Sequence, residues 1–142
     1  MAVFNRTDPA RGIRYGASCS IAWLALAGAA PADPVGEWRG NSICQVRPSP
    51  CNDETSSYRI VRDARGHYLI AMSKLVGTTY EEFGSLDAVF DSATSTLTAT
   101  TYDRQRRPAQ WRFTLKGDRL DGTVITGDGK VYRRIMLTRT AG

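Results

Sequence analysis

From Val35 to Arg139 the sequence carries no helical stripe of apolar residues. Instead, short segments rich in Val, Ile, Thr, Tyr, Phe and Trp follow one another, each closed by a turn signal. Eight strands are expected, over 35–46, 56–63, 67–75, 84–90, 95–102, 109–116, 118–126 and 130–139. Four of them alternate with period two: Leu86, Ala88 and Phe90; Leu97, Ala99 and Thr101; Trp111, Phe113 and Leu115; Val131, Arg133, Ile135 and Leu137. Period two places each set on one face of its strand. The connections Ala64-Arg65-Gly66, Ser92-Ala93-Thr94, Gly117-Asp118 and Gly127-Asp128-Gly129 are compact hairpin signals, which favour antiparallel neighbours. An open sheet of this size would leave two sticky edges, and closure removes them. The expected fold is therefore all-β, an antiparallel up-and-down barrel of eight strands, with a two-sheet sandwich as the alternative.

An up-and-down barrel sorts its connections by end. Those at 64–66, 92–94 and 117–118 share one end and are tight; those at 47–55, 76–83, 103–108 and 127–129 share the other, and the first three read as longer loops. The long-loop end is the expected mouth. At the closed end, Trp38 begins the first strand and Arg139 ends the last, so barrel closure brings the two together. A guanidinium over an indole contributes about 0.5–2 kcal/mol.

Tyr58, Ile60, Leu86, Phe90, Trp111, Phe113 and Val124 are expected to face the interior, which in eight strands is either filled by side chains or just wide enough for one small ligand. The short strands and the many aromatics favour a filled core. Arg133 shares the inward face of the last strand near the mouth. A lone buried charge costs several kcal/mol, so Arg133 needs a partner: Glu54, or the carboxylate of a bound acid. Candidate ligand-binding residues are Arg133, Tyr58, Trp111, Leu86 and Val124. Asp53-Glu54 and Glu81-Glu82 read as salt-bridged or solvated carboxylates, because adjacent residues point different ways. The run Asp103-Arg104-Gln105-Arg106-Arg107-Pro108 reads as a solvated basic loop able to steer anions. His67, the single histidine, follows Gly66 as a surface turn residue with no nucleophile paired to it by any motif. No catalytic residue, metal set or cofactor is expected, and the chain is read as a non-enzyme.

The segment before these strands has a different character. Arg6, Arg11 and Arg14 precede an uncharged stretch centred on Ile21, Trp23, Leu24 and Leu26, followed by Ala27-Gly28-Ala29-Ala30-Pro31-Ala32. A basic head, a short apolar middle and small residues at the end make a secretory signal peptide over 1–32, cleaved after Ala29 or Ala32. The stretch is short and alanine-rich for a membrane span. The expected mature domain is 33–142, periplasmic or secreted. Cys19 falls in the leader, leaving Cys44 and Cys51, six residues apart around Pro48 and Pro50, for a disulfide. Losing Arg6, Arg11, Arg14 and Asp8 lowers the formal charge from +5 to about +3, too mild for a nucleic-acid partner.

Gly36-Glu37-Trp38 at the first strand, with Arg139 on the last, resembles the G-x-W and closing-arginine signature of lipocalins and the wider calycin superfamily. That resemblance implies that Gly36, Trp38 and Arg139 close the barrel, with the tryptophan as plug and the arginine packed across it. The segment 35–139 is also similar to a group of small secreted bacterial proteins without assigned activity, through Trp38-Arg39-Gly40-Asn41-Ser42, Cys44, Cys51-Asn52-Asp53-Glu54, Gly84-Ser85-Leu86, Trp111-Arg112-Phe113 and Gly129-Lys130-Val131-Tyr132-Arg133-Arg134. The expected function is binding of a small apolar or amphipathic ligand. The alternative is a protein-interaction module, such as a periplasmic protease inhibitor, with a filled barrel.

Overall fold

The computed structural model describes residues 32–141 of the chain. The expected signal segment, Cys19 and Ala29 included, lies outside the described residues apart from Ala32. The described residues form eight strands: β1 Gly36–Cys44, β2 Glu54–Arg62, β3 Tyr68–Val76, β4 Thr79–Asp91, β5 Thr96–Tyr102, β6 Pro108–Lys116, β7 Arg119–Thr126 and β8 Val131–Arg139. Each pairs antiparallel with the next, and β8 returns to β1, giving a closed up-and-down barrel. The alternative of a sandwich is excluded by the β1–β8 ladder, which runs from Trp38 opposite Arg139 to Cys44 opposite Arg133.

Close approach of β1 to β8 depends on Gly40, where a Cβ would collide with the Met136 carbonyl. The ladder is thinnest between β4 and β5, where only Val89, Phe90 and Asp91 pair with Thr98, Leu97 and Thr96. Mouthward of those pairs, the two strands carry no further ladder between them.

The interior is filled at one end only. Trp38, Ile60, Ile70, Leu86, Leu97, Leu120 and Leu137 are all essentially inaccessible and pack the closed half. Each buried side chain of this size contributes about 1.5–3 kcal/mol. The Trp38 indole N–H donates to the Pro34 carbonyl at 2.9 Å, so the plug leaves no buried donor unpaired. Arg139 lies over the indole, 4.2 Å from the ring, and donates to the carbonyls of Val35 and Asp33. Gly36 stands at φ 141°, and its missing Cβ makes room for the Arg139 guanidinium.

Two expectations about the mouth loops need correction. Residues 76–83 are not a loop. Val76 pairs with Thr79 across a two-residue turn in which Gly77 takes φ 62°, and β4 starts at Thr79 rather than at 84. Thr79, Tyr80 and Phe83 have strand-forming side chains, and the pair Glu81-Glu82 concealed them by breaking the apolar alternation. The 103–108 connection is likewise compact. Asp103 accepts from the backbone N–H groups of Gln105 and Arg107, and its own N–H donates to the Arg107 carbonyl. The mouth therefore has a single long loop, 45–53, between β1 and β2.

Candidate functional site

That loop is anchored at both ends. Cys44, the last residue of β1, is disulfide-bonded to Cys51. Closing so short a loop contributes about 2–3 kcal/mol through the unfolded state. Asp53 adds a second tie, accepting the Cys44 N–H at 2.9 Å and pairing with Arg47 at 2.7 Å. Its neighbour Glu54 points the other way, into the barrel, as strand alternation requires.

Between the loop and the packed half lies a cavity of about 970 Å³, open at the mouth. Tyr58, Trp111, Val124, Ala109, Pro108, Val46, Phe83 and Tyr132 supply most of its wall, with Ser42, Glu54 and Arg133 as an inner polar group. Phe113 closes the space from below, its ring edge-on to Tyr58 and stacked with Trp111 at centroid distances of 6.2 and 6.4 Å. The ring fits because β7 carries Gly122 opposite it. The Trp111 indole N–H donates to the Thr101 hydroxyl at 2.9 Å, leaving the ring face as an apolar surface.

Of the five residues expected to bind ligand, Arg133, Tyr58, Trp111 and Val124 line this cavity. Leu86 does not. It is 1% exposed and belongs to the packed half, because its position on β4 lies well below the rim. Sequence reasoning missed Phe83, which fell in an expected loop, and Tyr132, which period two placed on the outer face. Each is the extra residue of a β-bulge: Met72 pairs with Gly84 but Ser73 with Glu82, and Val124 pairs with Arg133 but Ile125 with Val131. A bulge at a barrel rim re-aims a side chain, and strict period-two reading assigns it to the wrong face.

Arg133 is held by β1, β2 and the anchored loop. It donates to the Ser42 hydroxyl and the Asn52 carbonyl, both at 2.9 Å, and to the Ser42 carbonyl at 3.4 Å. It also pairs with Glu54 at 3.3 Å, with 13% and 21% of the two side chains exposed. The Tyr58 hydroxyl lies near this pair. Burial pushes its pKa well above the ordinary phenol value, and the Glu54 carboxylate adds to the rise. It therefore stays a protonated donor. The Arg133 charge opposes that shift, and the neighbouring Ser56 hydroxyl is fully buried with no partner among the described residues.

The rim is charged but internally paired. Arg107 folds onto Asp103 at 2.6 Å, and Lys130 approaches Asp128 at 3.8 Å. Arg104 and Arg106 remain exposed. His67 lies at the opposite end, in the β2–β3 turn, with its Nδ1 2.9 Å from Asp87. Comparison of the chain with protein-family models, curated proteins and solved structures finds no match in any of the three. The functional reading therefore rests on the cavity alone. Among the described residues no helix is long and apolar enough to cross a membrane.

Proposed function

We propose that this chain is an exported barrel that binds a small apolar or amphipathic ligand in the mouth cavity. The observation that carries the reading is the uneven filling of the barrel. One half is packed solid, whereas the other holds about 970 Å³ walled by aromatic and aliphatic side chains around one polar cluster. Pockets for drug-sized molecules have this size and this composition. The Trp38–Arg139 plug and Gly36 support a lipocalin-like arrangement, and the Cys44–Cys51 bond suits an oxidising compartment such as the periplasm. The role assigned is binding, not catalysis.

A protein-interaction role is the second reading. The β3–β4 hairpin favours it, because Leu75, Val76 and Phe83 are all exposed along it.

Native mass spectrometry of the purified protein, together with titration by a neutral apolar fluorophore such as N-phenyl-1-naphthylamine, tests the first reading. A bound lipid-sized mass or saturable fluorophore uptake supports it. Neither mass nor uptake would move the assignment to the hairpin.

A further inference from the structure

The sequence suggested that Arg133 could receive the carboxylate of a bound acid. The geometry points elsewhere. An arginine side chain has five N–H donors, and four hydrogen bonds already engage its two terminal nitrogens. Its charge is neutralised in place by Glu54. An incoming carboxylate would have to displace Glu54, or bury a second negative charge beside it, and an uncompensated buried charge is costly. An ammonium head would add a net positive charge beside a pair that is already neutral, and it has no lone pair with which to accept from the Tyr58 hydroxyl.

What remains open at this depth is uncharged or accepting. Glu54, Ser56 and Tyr58 occupy one inward-facing row of β2. Glu54, one oxygen of which has no partner among the described residues, lines the cavity, whereas the fully buried Ser56 hydroxyl does not. The Tyr58 hydroxyl adds a donor next to them. A group that both donates and accepts without carrying charge satisfies Glu54 and Tyr58 together, donating to the carboxylate and accepting from the phenol. A buried polar site discriminates strongly against ligands that leave its groups unpaired.

We infer that the cavity takes amphipathic ligands whose polar end is an uncharged hydroxyl or amide, and discriminates against the free acid and the amine of the same chain length. This inference rests on the ligand-binding reading above and specifies its ligand class.

The test is displacement of N-phenyl-1-naphthylamine by 1-decanol, decanoate and decylammonium, at near-neutral pH and fixed ionic strength. These share an apolar chain and differ in the head. Decanol should displace the probe at a concentration on the order of tenfold lower than either charged compound. In Glu54→Gln, Arg133 loses its counter-charge, so decanoate should gain on the order of tenfold relative to decanol. Decanoate or decylammonium equalling decanol on the unaltered protein would overturn the neutral-head inference while leaving the ligand-binding reading standing. Absence of probe binding would overturn that reading itself. If Glu54→Gln does not fold, the ranking on the unaltered protein decides alone.

Discussion

Arg139 lies 4.2 Å from the Trp38 ring and pairs with it across the ladder that closes the barrel. The guanidinium covers the plug and also ties down the chain before β1 through the Val35 and Asp33 carbonyls. Arg139→Ala should therefore destabilise the barrel by about 2–3 kcal/mol, from the lost cation–π contact and the charge-assisted hydrogen bonds. Arg139→Lys should recover only part of this, because an ammonium cannot stack flat and reach two carbonyls together. Urea denaturation of the two variants measures the difference. Equal stability of the lysine and arginine proteins would show that charge alone matters there.

Trp111 and Phe113 sit two residues apart on the same inward face of β6, yet they do different work. Phe113 is 1% exposed in the packed half, whereas Trp111 is only partly covered and faces the cavity. Phe113→Ala should cost about 3–5 kcal/mol, as for a large ring removed from a core. Trp111→Ala should cost clearly less, and should instead weaken uptake of an apolar fluorophore. Thermal denaturation and fluorophore titration on both variants separate the two effects. A Trp111→Ala protein as unstable as Phe113→Ala would make Trp111 core rather than wall.

Much of this architecture was legible from residues alone because period-two alternation reports burial directly. Leu97, Phe113, Leu115, Ile135 and Leu137 are buried where alternation placed them. Barrel closure was legible from Trp38 and Arg139, whose positions at opposite ends of the chain leave one way to meet. The rim was not legible, because its residues depart from alternation. Phe83 and Tyr132 are bulged, and Glu81-Glu82 masks the extension of β4. Ser42 and the Asn52 carbonyl could not be assigned to Arg133, since a hydrogen bond across three elements leaves no local trace. The mixed interior escaped too, because filled and hollow halves use the same residue types.

The tight turns, together with Asp87 of β4 beside the β2–β3 turn, carry an acid-sensitive contribution. Asp63, Asp87, Asp103 and Asp128 all have pKa values below the ordinary carboxylate value. The leading causes are, in order, the Arg65 side chain, His67, the Arg107 backbone N–H and the Thr126 hydroxyl. A carboxylate whose folded-state pKa is depressed stabilises the fold at pH above its unfolded value, about 3.9, and that contribution is lost as pH falls through the lower folded value. Asp87, Asp103 and Asp128 are exposed and Asp63 is half-exposed, so solvent and salt weaken the effect. The urea midpoint should hold steady above about pH 5 and decline below pH 4, with a shallower decline in Asp63→Asn. A midpoint independent of pH across this window would remove the turn aspartates from the account.

The floor of the cavity depends on a residue with no side chain. A Cβ at Gly122 would lie 2.5 Å from Phe113 Cδ1 and 3.3 Å from the Ile135 Cβ. An aromatic ring wedged against its neighbours has little room to yield, since it also meets Tyr58 and Trp111. Gly122→Ala should cost about 1–3 kcal/mol through overpacking, despite adding apolar surface. It should also push the ring toward the cavity and reduce fluorophore uptake. The coupling is testable, because Phe113→Val removes both ring carbons that clash, Cδ1 and Cε1. The double variant should lose less stability than the two single losses combined, and a denaturation cycle over the four proteins measures this. Strict additivity would mean that Gly122 is required by its backbone alone, and that the ring opposite it is free to move.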